Sequence, residues 1–179
     1  MAKKKSKRSN FFKYTGLLSL VVAAVAFVLF MVTPAVVGNG FEAVGTTVIF
    51  GGNTRSYAGG VSIYSSYLGS MVWSAFLSWI LVLVSLLILL LAAVLPLAKV
   101  KLTDKLAGLL NLVAVGALVV AGVFGFMILG IWAAVNGVDL NGTSYGAGAG
   151  WVIASILSIV AGGIALCPAA ADFLSKSKK

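Results

Sequence analysis

The chain has 179 residues, of which 61% are hydrophobic and only 9% charged, and its mean hydropathy is +1.12. A soluble domain of this size needs far more polar surface than that, so the composition excludes one and points to an integral membrane protein. Histidine is absent and Cys167 is the only cysteine, which excludes an intrachain disulfide, a cysteine–histidine zinc cluster and a histidine-dependent triad.

In chain order, a basic tail over residues 1–15 carries Lys3, Lys4, Lys5, Lys7, Arg8 and Lys13. A membrane domain over 16–174 follows, then a basic tail over 175–179. Between Lys13 and Glu42 lie 28 uncharged residues, with a first span predicted over 16–37. Its apolar core is longer than the ~7–15 residues of a secretory signal, and no Ala-x-Ala site follows, so it reads as an uncleaved anchor. Pro34 is expected to bend or end that helix.

The next 43 uncharged residues, between Arg55 and Lys99, are too many for one crossing. They divide into a polar portion and a second span over 70–97. A short loop over 98–105 precedes a third span over 106–135, and a fourth is predicted over 150–170. Each run exceeds the ~20 residues that cover a hydrocarbon core. With no water there to satisfy the amides, helices are the expected conformation. The fold class is therefore all-α membrane: a four-transmembrane-helix bundle.

Basic residues set the orientation. With four spans, 12 of the 13 lysines and arginines fall on one side, in the two tails and the 98–105 loop, and only Arg55 falls on the other. The positive-inside bias then places both termini in the cytoplasm of a multi-pass protein of the cell membrane. The partner of that face is an anionic inner leaflet, at about 1 kcal/mol per basic residue. Beside a span, KKKSKR is a topology signal, and nucleic acid is not an expected partner. Trp73, Trp79, Trp132 and Trp151 lie near the outer ends of their spans, where ring anchoring at the headgroups is the expected role.

Two outer loops follow from this layout, over 38–69 and 136–149. In the first, FEAVGTTVIF (41–50) and YAGGVSIYSSY (57–67) are β-prone runs flanking GGNTRS, which predicts a small hairpin. A lone hairpin is marginal in water, so it must lie on the helix ends or on a partner. Phe50, Tyr57, Tyr64 and Tyr67 are the candidate contact residues. The glycines there lack the GK[ST] of a phosphate loop. In the second loop Asn141-Gly142-Thr143 is a formal glycosylation sequon, relevant only in a eukaryotic host.

The spans hold no ionisable residue at mid-depth. Asp104, Asp139 and Asp172 fall at interfaces, and Asn111 is the one strong amide, expected to bond between helices. Small residues recur at helical spacing instead: Ala117, Ala121 and Gly125 in the third span, and Gly150, Ala154, Ser158 and Gly162 in the fourth. Such ridges allow close backbone approach where lipid gives helices little hydrophobic reason to associate. Cys167 is expected to be a small buried residue of the fourth span.

This layout of inner termini, a larger β-prone first outer loop and a shorter second one resembles that of claudin-like four-helix proteins over nearly the full chain. The resemblance is one of architecture. The first loop has neither the tryptophan-rich signature nor the cysteine pair of that family, and no functional residue is carried over. The chain also resembles small four-span proteins of bacterial membranes.

The function this predicts is contact without catalysis: a scaffold, accessory subunit or assembly factor, touching another membrane protein or a second copy and needing no cofactor. No general base, nucleophile pair or metal set is visible. The alternative is a small transporter, channel or lipid-handling protein with an uncharged path along Ser74, Ser78, Ser85, Asn111 and Ser158.

Overall fold

A computed structural model describes the backbone of residues 2–38, 40–58, 61–65, 68–94 and 104–174. Its side chains are described over 14–38, 40–58, 61–65, 68–93 and 106–170. The predicted contact residue Tyr67 and the side chains of the 98–105 loop and tail lysines, of Asp104 and of Asp172 lie outside the described residues.

Four helices are long and apolar enough to cross a membrane, over Tyr14–Val32, Trp73–Ala93, Leu106–Phe126 and Ala149–Ala170. They belong to α1 (Ala2–Val32), α3 (Trp73–Val94), α4 (Asp104–Phe126) and α6 (Ala149–Leu174). Each packs on the helices next to it in sequence, and α1 closes the ring by packing on α6. The interior is rich in small side chains, with Ala23, Ala26, Ala114, Ala121, Ala154, Ala161 and Ala165 buried beside Phe30, Val82, Leu89 and Leu118. Leucine, valine and isoleucine stripes face outward on every span, including Leu17, Val21, Val25 and Val28 of α1. That inversion is the pattern of helices whose surroundings are as apolar as their core.

Two predicted spans are shorter than expected. The first helix stops at Val32, not 37, because Pro34 has no amide to continue it and opens strand β1 (Pro34–Gly38). The third is interrupted at Met127: α4 ends at Phe126, and a separate α5 (Ile128–Asn136) completes the run. The Met127 backbone has ψ near 0°, off the α-helical value, and its amide bonds only as far back as Phe124. The fourth helix extends past 170 to Leu174, with Pro168 inside it.

At one end of the bundle sits a five-stranded antiparallel sheet in the order β4-β3-β2-β1-β5. Its other strands are β2 (Phe41–Val44), β3 (Thr54–Ala58), β4 (Val61–Ser65) and β5 (Gly146–Ala147). The predicted hairpin is thus part of a larger sheet with different boundaries. FEAVGTTVIF is strand only as far as Val44 and then turns into a short helix α2 (Gly45–Phe50). Gly51 ends α2 at φ 78°, a left-handed value a β-carbon would oppose. The hairpin proper joins β3 to β4, with Tyr57 opposite Ser62 and Ala58 opposite Val61. The 136–149 loop adds β5 beside β1, with Val36 opposite Ala147.

Candidate contact surface

The junction between bundle and sheet is closed by backbone contact. The Gly45 amide donates to the Thr33 carbonyl at 2.9 Å, and the Gly148 amide donates to Ala35 at 2.9 Å. A β-carbon added at Gly45 would collide with the Phe30 carbonyl, and one at Gly148 with the Pro34 carbonyl. Two indoles fill the space beneath. Trp151 donates its Nε1–H to Gly125 O at 3.0 Å and packs edge-on against Phe30 at 4.7 Å. Trp132 donates to Leu68 O at 3.3 Å and lies between Phe41 and Tyr145. Both are fully buried, so for them the expected headgroup anchoring is wrong. Their N–H groups find carbonyl partners inside the fold, as a buried indole requires. Trp73 remains exposed, and Trp79 is half-buried against Phe27 and Phe50.

Away from the junction the sheet opens out. Phe41, Ala43 and Val36 are buried against the bundle, but every residue from Val61 to Tyr64 is exposed. Because strand side chains alternate, Val61 and Ile63 share the face of Phe41, while Tyr64 shares the opposite face with Arg55 and Glu42. On that opposite face Glu42, Arg55 and Tyr64 are directly opposed in register across three strands. Arg55 Nη1 donates to the Tyr57 hydroxyl at 3.3 Å, and that hydroxyl donates to Glu42 Oε2 at 3.1 Å. The guanidinium lies 5.3 Å from the Tyr64 ring centroid, within cation–π range. Its pKa is raised, first by the hydrogen bond to the Tyr57 hydroxyl, and a guanidinium is in any case cationic at physiological pH.

Of the predicted contact residues, Tyr57 and Tyr64 come together on this face. Phe50 does not join them: half exposed at the end of α2, it stacks edge-on against Trp79 of α3 at 5.1 Å. Arg55 and Glu42 complete the cluster and were not singled out from the sequence. Glu42 lies in the first β-prone run, one residue after Phe41, but Arg55 falls in the GGNTRS segment that reads as a turn, and only its pairing within strand β3 places it beside Tyr57.

The small-residue positions divide between two interfaces. A β-carbon at Gly122 would come within 2.5 Å of Ile159 Cγ1, and one at Gly162 within 3.1 Å of Val119 Cγ2, so α4 and α6 approach closely and antiparallel. Gly125 faces Ser155 in the same contact, where Ala121, Ala154 and Ser158 are buried and Ala117 is half-buried. Gly150 belongs elsewhere: it abuts the Thr33 side chain at the end of α1. Ser19 of α1 also reaches α6, donating to Ala161 O at 2.8 Å. Asn111 is buried on α4, but it makes no hydrogen bond among the described residues, so the expected interhelical bond is not present there. Cys167 is exposed on α6 rather than buried.

Ser74, Ser78, Ser85 and Ser158 are also buried in the bundle. Ser85 donates to Leu81 O and Ala114 O, and Ser158 to Ala154 O. The Ser74 and Ser78 hydroxyls have no hydrogen-bond partner among the described residues. Among the described residues no group of three acidic or cysteine side chains could hold a metal ion. Compared with known proteins, the chain matches no family and no curated protein sequence.

Proposed function

We propose that this is a cell-membrane protein with both termini in the cytoplasm and the sheet outside, acting by contact as a non-enzymatic scaffold, accessory subunit or assembly factor. The single observation that carries this reading is the contrast within one sheet. β1 and β2 are sealed onto the bundle, while β4 is an uncharged, proline-free edge strand with Val61, Ile63 and Tyr64 exposed. Monomeric proteins protect such edges with charge, proline or a covering segment, and a bare edge of this kind is where a partner adds. The partner is another membrane protein or a second copy, in a bilayer with an anionic inner leaflet. The claudin-like layout is part of the proposal, supported by the strands that make up much of the longer loop. Orientation rests on the lysine and arginine asymmetry.

Co-purification from mild detergent tests the reading. Wild-type chain retains its partner or self-associates, and the Ile63→Asp variant loses that association while still folding. Unchanged association in Ile63→Asp, with a monodisperse folded sample, overturns it.

A second reading, a small transporter, channel or lipid-handling protein with an uncharged polar path, is favoured by one observation: the Ser74 and Ser78 hydroxyls inside the bundle have no partner among the described residues. It requires flux or lipid scrambling in liposomes that Asn111→Leu abolishes.

A further inference from the structure

Independently of any partner, the chain contains three Asn-Gly pairs; Asn39 of the first lies outside the described residues, and the other two, Asn136-Gly137 and Asn141-Gly142, stand in opposite structural situations. Asparagine followed by glycine is the dipeptide most open to internal attack, because no β-carbon shields the glycine amide. In that reaction the glycine nitrogen loses its proton and attacks the asparagine Cγ, forming a C–N bond and expelling the side-chain nitrogen as ammonia. The resulting five-membered succinimide is opened by solvent water at either carbonyl, giving aspartate or isoaspartate. Two things must be available: a glycine amide not held in a hydrogen bond, and a side chain free to swing over its own backbone.

At Asn136 both are blocked. This residue ends α5, and its Oδ1 accepts from the Ser70 amide at 3.3 Å while its Nδ2 donates to Trp132 O at 3.0 Å. The Gly137 amide donates to Ala133 O, in the left-handed helix cap at φ 66°. At Asn141 both are open. Asn141 and Gly142 are exposed between α5 and β5, and the Gly142 amide has no hydrogen-bond partner among the described residues. Gly142 has φ 73°, and a β-carbon added there would meet nothing within 4 Å. The side chain's one bond, Nδ2 to Asp139 Oδ1 at 2.9 Å, lies in an exposed turn where water competes for it.

We propose that Asn141 is a site of spontaneous succinimide formation and deamidation, and that the fold protects Asn136. The product has a local consequence. Asn141 now offers Asp139 two donors, its amide and its side chain, both at 2.9 Å. Conversion replaces the side-chain donor with a carboxylate facing the Asp139 carboxylate, so an attraction becomes a like-charge repulsion and the turn opens.

The test is peptide mapping, with enzymatic methyl labelling of isoaspartate, on purified full-length protein aged in detergent at mildly alkaline pH. The expected result is conversion at Asn141, a loss of that conversion in Asn141→Gln and a slowing of it in Gly142→Ala, with Asn136 intact. In chain unfolded before ageing, both asparagines convert at comparable rates. Native protein that converts Asn136 as fast as Asn141 overturns the proposal. So does native protein that keeps Asn141 intact while the unfolded chain converts it.

Discussion

The two halves of the sheet obey different rules. Where β1 and β5 meet α1 and α6, chain segments touch backbone to backbone through Gly45 and Gly148, and two indoles are fully enclosed. Across β3 and β4 the same sheet leaves tyrosines, a valine and an isoleucine open, held by a cross-strand hydrogen-bond chain from Arg55 through Tyr57 to Glu42. The difference teaches which part of the molecule the fold depends on. The junction resists alteration because nothing there can move aside, whereas the hairpin can change without disturbing the bundle.

Substitutions sort along that divide. Gly45→Val should have the largest effect, on the order of 5 kcal/mol or complete loss of folded protein, because the new side chain must displace the Phe30 carbonyl. Thermal unfolding in detergent followed by size-exclusion reads this directly. Next, Trp151→Ala should cost about 3–5 kcal/mol, the range for deleting a buried aromatic. A headgroup anchor in its place would cost much less, so the same melting experiment distinguishes the two roles. Trp132→Phe keeps a ring between Phe41 and Tyr145 but removes the bond to Leu68 O, for an expected loss of about 1 kcal/mol. Smallest of all, Tyr64→Ser on the exposed hairpin should shift stability by less than about 0.5 kcal/mol. A large drop in melting temperature there would show that the hairpin, too, is structural.

The four apolar runs were legible because hydropathy over some twenty residues is a strong signal, and Pro34 announced the end of the first. What escaped had no local signature. Past Pro34, AVVG is apolar and short, and its pairing with Phe41–Val44 and Gly146–Ala147 is what makes it a strand. Thr46, Thr47, Val48 and Ile49 favour strand by propensity, yet they turn into α2, where Val48 and Ile49 are buried and Val72 donates its amide to Val48 O. The break at Met127 falls at neither a proline nor a glycine. The tryptophans misled for a simple reason: an indole near a helix end looks the same in sequence whether it meets lipid headgroups or a sheet folded over it. Tyr57 and Tyr64 could be nominated from composition, but placing them beside Arg55 and Glu42 needed the register of three strands.

The most direct test of contact through the hairpin is photocrosslinking in intact membranes, with a photoreactive residue placed once at Tyr64 and once at Asn141, both exposed at the sheet end. The account predicts a discrete protein adduct from position 64 and none from position 141. Equal adducts from both positions, or none from position 64, would contradict it.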